Sequence, residues 1–184
     1  MDIIIDIVGS IVLAGLLILS VNSGVVDLNE TTYEQTYTLN SQTNIVALAR
    51  IIEHDFVKIG FGAPGPAILV ADSQAISFQS ELYNDGSLKT VTYSVGSITG
   101  PKVAPTKNPR DFMLFRELAG EPPLALSSGL VEFNITYFDS AGAVTTSPGD
   151  VDAIQIRLRL ETEEPVDDEY PGVFWERTIY PKNL

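Results

Sequence analysis

The sequence predicts an α+β fold: one long N-terminal helix, hydrophobic over its first third, packed by its C-terminal half on an antiparallel β-sheet. Three observations carry this. Ile3 to Val21 is apolar except for Asp6, Gly9, Ser10, Gly15 and Ser20, close to the roughly 20 apolar residues that cross a bilayer core. Ile45, Leu48, Ala49, Ile52, Phe56 and Ile59 recur at the spacing of a single helical stripe. After Pro66 the pattern switches to period two, in about six segments, as half-buried strands require.

In chain order, residues 1–24 read as a hydrophobic anchor or packing helix, and residues 25–61 as a polar, then amphipathic, helix. Asn22 to Asn44 is rich in Thr and Asn and poor in strong helix formers, and Gly24 costs about 1 kcal/mol relative to Ala. The helix is therefore expected to be lost or distorted somewhere between Val21 and Asn44. Gly60 and Gly62, followed by Pro64, stop the amphipathic part. A continuous helix over these residues would be roughly 90 Å long at about 1.5 Å per residue.

Residues 62–184 form the predicted sheet head. Ala75 to Leu82 and Leu88 to Val95 alternate on either side of Asn84-Asp85-Gly86, a hairpin-turn sequence. Residues 96–111, with their glycines and prolines, read as a loop. Phe112 to Leu118 is a third strand, ended by Gly120-Glu121-Pro122-Pro123. Leu130 to Phe138 is the fourth, leading into Asp139-Ser140-Ala141-Gly142. In Val151 to Glu161, Ile154, Ile156, Leu158 and Leu160 share one face, with Gln155, Arg157 and Arg159 on the other. An acidic loop (Glu163 to Pro171) precedes the last strand, Val173 to Tyr180. The Ile45–Ile59 stripe is what the apolar face of an antiparallel sheet would cover.

Composition narrows function. The net charge is −13, from 24 acidic and 11 basic residues, and no basic cluster stands out, so nucleic acid is not an expected partner. Without cysteine there is no disulfide and no thiolate metal site. The apolar run lacks the basic flank of a signal peptide and exceeds the usual length of its core, while Ser20-Val21-Asn22 offers a weak cleavage site; it reads as a retained helix. One histidine, no cysteine nucleophile, no glycine-rich phosphate loop and no Gly-x-Ser-x-Gly elbow leave nothing that selects catalysis. No enzyme activity and no cofactor are expected.

Individual residues carry two readings each. Asp6 inside an apolar helix is costly unless paired: it either meets another subunit's terminal amine or sits at the membrane edge. Gly9, Ser10 and Gly15 either allow close helix–helix approach or are ordinary anchor composition. His54, between Glu53 and Asp55, reads as a solvated or sheet-capping residue, since adjacent helical positions do not share a face. Asp139, Asp150 and Asp152, or Glu161 to Glu169, offer oxygen ligands to calcium but lack EF-hand spacing, and solvation is the expectation. Asn29-Glu30-Thr31 and Asn134-Ile135-Thr136 match the N-glycosylation sequon, a match common by chance.

The order of these elements resembles that of type IV pilins and pseudopilins. Ala49-Arg50-Ile51-Ile52-Glu53-His54-Asp55-Phe56-Val57-Lys58-Ile59-Gly60-Phe61 is similar to the helix end of PilW-type minor pilins and of the J-type pseudopilin of type II secretion. Ala71 to Phe78 with Asp85-Gly86, Leu130-Val131-Glu132-Phe133 through Tyr137-Phe138-Asp139 and Gly142, and the ending Glu176 to Leu184 resemble the family's later units. The resemblance implies a structural subunit of a type IV pilus-like extracellular filament. Its helix is first held in the inner membrane and then packs into the filament core, with copies of itself and other pilin-like subunits as partners. Family members carry a basic leader cut after glycine and one glutamate near the mature start. Here the acids are Asp2 and Asp6, and the numbering either begins at the mature residue or belongs to a branch without processing. Met1, Asp2, Asp6, Gly9 and Gly15 are the implied assembly residues. The alternatives are a minor pilin or pseudopilin of a secretion or pilus machine, and an anchored binding ectodomain that never polymerises.

Overall fold

A computed structural model of the chain describes residues 2–96, 106–166 and 168–184; within the helix, the side chains at positions 2, 5, 29–31 and 34 lie outside the description, as does Met1. Part of the loop expected at 96–111 therefore falls outside it too. The chain divides into two compact units, Met1–Tyr37 and Thr38–Leu184.

Helix α1 is Asp2–Val57. Every residue from Val21 to Asn44 is helical, so the expected break in the polar middle is absent. The threonine hydroxyls of this stretch are absorbed by the helix itself. Thr32, Thr36 and Thr43 donate to the carbonyls of Leu28, Thr32 and Leu39, one turn back, at 2.7, 2.8 and 2.9 Å, instead of bonding the backbone in competing conformations.

The sheet belongs to the second unit. Its strands are β1 Ile68–Asp72, β2 Ala75–Ser80, β3 Lys89–Val95, β4 Phe112–Leu118, β5 Leu124–Phe138, β6 Ala153–Glu161 and β7 Gly172–Ile179. All neighbours are antiparallel, and the spatial order equals the sequence order. The expected α+β balance, a long helix packed on a modest sheet of about six strands, is corrected. The head is mostly strand, and its seven-stranded sheet curls into a half-barrel. The curl comes from β5. Its first half pairs with β4 and its second half with β6, and the bend falls at Gly129 (φ +73°) with a register shift between Leu130 and Glu132. A Cβ at Gly129 would lie 2.5 Å from the Glu161 carbonyl oxygen, so only glycine lets the strands approach there. The curl brings β5 onto the first hairpin: the Ile135 amide donates to Ser73 O at 2.8 Å, and the Tyr137 hydroxyl donates to Asp72 O and Ala75 O.

Inside the curl lies a single core. Ile45, Leu48, Ile52 and Phe56 from the helix, with Ile59 from the turn after it, bury against Ile76, Phe78, Val91, Tyr93, Leu114, Phe133, Ile135 and the Ile154, Ile156, Leu158, Leu160 face of β6. The predicted stripe is thus the buried one. Phe56 packs edge-on to Phe78 and Tyr93, with centroids 5.6 and 5.4 Å away. The helix stops where predicted, and its end is tied to β2. Ser80 Oγ donates to Lys58 O, and the amides of Gly60 and Glu81 donate to the carbonyls of Gln79 and Phe61. Gly60 has φ +79°, and a Cβ there would meet Asn183 O at 2.3 Å.

Strands β2 and β3 pair as the predicted antiparallel hairpin, and Asn84-Asp85-Gly86 lies in its connection, Glu81–Leu88, held by Gly86 N to Glu81 Oε1 and Ser87 N to Asp85 Oδ1. Two local readings are corrected. Strand β1 was not foreseen, and β5 begins at Leu124 rather than Leu130.

Candidate functional site

The largest unexplained surface lies in the first unit. The 23-residue segment Asp6–Leu28 reaches a mean hydropathy of 2.1 in its most apolar window, and none of it is buried. Ile3, Ile7, Ile11, Leu13, Leu17 and Leu19 point different ways round the helix, and all are more than half exposed. A helix apolar all round is one meant for a lipid or protein interior. This segment has the length and composition of a membrane span, which a signal sequence shares.

The predicted assembly residues fall on it. Asp6 is exposed, and its backbone carbonyl accepts a hydrogen bond from Ser10 Oγ at 2.7 Å. A Cβ at Gly9 or Gly15 would meet nothing within 4 Å; glycine is not demanded there by the chain's own packing. Asp2 is helical with its side chain outside the described residues, and Met1 lies outside them altogether. The fold brings none of these residues to a site within the chain.

In the head, the structure shows an ionic node that sequence reasoning missed. Asp55, 2 % exposed, accepts from the Tyr93 hydroxyl and from Arg116 Nε, both at 2.6 Å and both on Oδ2. Its Oδ1 lies 3.1 Å from His54 Nδ1. Burial pushes the Tyr93 hydroxyl well above its ordinary value, helped by the Asp55 charge and hydrogen bond and opposed by Arg116. Burial works to lower the Arg116 guanidinium, but the hydrogen bond and charge of Asp55 outweigh it and the net shift is upward. The node links α1 to β3 and β4, so its chemistry is structural: a charged pair with its hydrogen bonds satisfied inside the core. The signal was available. Asp55 follows Ile52 by three residues and precedes Phe56, on the stripe otherwise apolar. His54 itself is mostly exposed.

A second polar cluster surrounds Glu161, which is 3 % exposed. Its carboxylate meets Arg110 at 2.8 Å, Asn108 Nδ2 at 3.1 Å and Arg159 at 3.4 Å. Nearby Asp111 accepts from Thr106 Oγ1. Burial raises its carboxyl above the usual range, against the hydrogen bonds of Thr106 and the Gly129 backbone; the charges of Glu163 and Glu161 add to the rise. Of the calcium candidates, Asp139 uses Oδ1 to accept the amides of Ala141 and Ala143, closing a turn. Asp150 and Asp152 are exposed, and Asp167 lies outside the described residues. Among the described residues, no group of three or more His, Cys, Asp or Glu side chains is placed to hold a metal. Of the sequons, Asn134 sits half-buried in mid-β5, and the side chains of Asn29 to Thr31 are outside the description.

Fold and surface together define a class: a span-length apolar helix followed by an antiparallel sheet head. No protein-family model matches the chain, and no curated protein matches it significantly.

Proposed function

We propose that the protein is a structural subunit that is held in a membrane by its N-terminal helix and then assembles, through that helix, into a type IV pilus-like extracellular filament. The observation that carries the reading is the unburied apolar segment Asp6–Leu28, attached to a head whose own core is complete without it. Removing apolar surface from water contributes roughly 25 cal/mol per Å². For a helix of this length that is tens of kcal/mol relative to exposure in water, a gain the bilayer that first holds it also provides, so packing between neighbouring helices is what favours the filament. Contacts that repeat head-to-tail without closing give a helical filament rather than a ring. The text around Ala49–Phe61 and the chain's ending support the pilin-like family reading.

Negative-stain imaging of protein sheared from the surface of expressing cells tests the proposal. Thin filaments that carry the protein are expected. Protein found only as single copies in the membrane fraction would replace it with an anchored ectodomain, and a mature chain lacking residues 1–24 would make the segment a signal sequence.

A further inference from the structure

The outward face of β5–β6–β7 is polar and carries charges of both signs. The alternation that turns Ile156 and Leu158 inward turns Arg157 and Arg159 outward. The register sets Arg157 opposite Glu176 and Arg159 opposite Phe174 on β7, with Glu132 on the β5 side. A shallow hollow of about 460 Å³ opens among these side chains.

The groups in it are already positioned. Glu176 accepts from Gln155 Nε2 at 3.0 Å through Oε1 and from Arg157 Nε at 2.9 Å through Oε2. Glu132 stands 3.9 Å from Arg157 NH1, beyond a direct hydrogen bond, so a guanidinium edge and a carboxylate face the hollow side by side. The hollow's lining carries two arginines and two glutamates, with Arg159 also reaching the buried Glu161 at 3.4 Å, in a chain whose net charge is −13. An anionic ligand would meet fixed carboxylates, and a cationic one fixed guanidiniums. A neutral ligand that offers adjacent donors and acceptors suits both at once.

Phe174 adds the apolar half. It is 58 % exposed at the rim, across from Arg159. At Gly172 a Cβ would sit 3.0 Å from Leu160 O and 3.5 Å from Arg159 Nε, so glycine keeps the space beside Arg159 open. A polar rim with an aromatic face beside it matches a sugar ring, which has hydroxyls at its edge and a C–H face. We infer that this hollow binds a neutral carbohydrate, with Glu132 and Arg157 hydrogen-bonding adjacent hydroxyls and Phe174 stacking on the ring. Because the groups are held by one another before binding, little ordering entropy is lost. The inference concerns the head alone and does not depend on filament assembly.

The test uses the full chain in detergent micelles on a printed array of neutral hexose and N-acetylhexosamine oligosaccharides beside sialylated, sulfated and uronic ones, followed by saturation-transfer NMR on the hits. Neutral oligosaccharides are expected to bind, with affinity nearly unchanged as salt rises, because no net charge is matched. Phe174→Ala and Arg157→Ala should each weaken binding about tenfold or more with thermal melting retained. Phe174→Leu, which keeps the apolar bulk but removes the ring, should also weaken it, and Tyr180→Ala, an exposed ring outside the hollow, should not. Absence of binding, binding confined to anionic glycans and lost in salt, or binding indifferent to Phe174→Ala and Phe174→Leu would each overturn the inference, and none would bear on the imaging of filaments.

Discussion

Asp55 shows what one buried charge does to a helix face. Beside Ile52, Phe56 and Ile59 it is tolerable only because Arg116 and Tyr93 reach it from two strands. Arg116→Met leaves that carboxylate uncompensated and should cost about 3–5 kcal/mol, read from urea denaturation. The double variant Arg116→Met/Asp55→Leu should recover most of the loss; a double variant no better than the single would assign the cost to packing instead. The tyrosines set the alkaline limit. Tyr93 and Tyr137 ordinarily ionise near pH 10, and burial raises both in the folded chain. Above about pH 10 the unfolded chain loses these protons while the folded chain keeps them, so stability falls as pH rises. Tyr137→Phe should cost about 1 kcal/mol at neutral pH, from the lost bonds to Asp72 O and Ala75 O. It should also flatten the decline of the urea midpoint above pH 10, and an unchanged slope would remove Tyr137 from the account.

At the scale of elements, the sheet turns on Gly129. Gly129→Ala meets both a left-handed φ and the Glu161 carbonyl at 2.5 Å, whereas Gly86→Ala, at φ +76°, meets nothing within 4 Å. Both should lose the roughly 1–2 kcal/mol of a left-handed residue, and Gly129→Ala more than that. Equal losses in urea would mean that the strands are free to part at the bend. How legible each element was follows from its burial. Strand β6 was readable because one of its faces is core and the other is wet. Strand β1 was not, because it is an edge of the sheet and of its residues only Ile68 is buried, leaving no alternation to read. The first half of β5 was hidden behind Pro122-Pro123 and by Ser127, Ser128 and Gly129, residues that read as a loop and here serve a bend. The helical middle was misjudged for a related reason: the propensities of Thr and Asn are small terms, and back-bonded threonine hydroxyls do not break a helix already running.

For the whole molecule, the core that carries stability lies in the second unit, and the proposed assembly would use the first. Removing residues 1–37 should leave a soluble head that melts cooperatively near the full chain's midpoint, since the core begins at Ile45; a molten or aggregating head would contradict this. Asp6→Ala should leave that melting unchanged while reducing filament yield, because a neighbouring subunit's terminal amine would lose its counter-charge; filaments formed as readily as by the wild type would reduce Asp6 to a membrane-edge residue. The sheet's curl was the least legible feature, being set by contacts such as Ser73 with Ile135 that no local pattern encodes. Its closure has a kinetic side. Each strand pairs with the one made just before it, so the meander can zip as it is synthesised. The seam between the final strand and the helix is different: Arg177 of β7 joins Glu53 of α1 at 2.6 Å across 124 positions of sequence. At about 5–20 residues per second, that partner is translated about 6–25 s after Glu53. Through that interval the helix flank stands open to chaperones and to neighbouring chains, and the arrival of the final strand sets the moment at which the head is sealed.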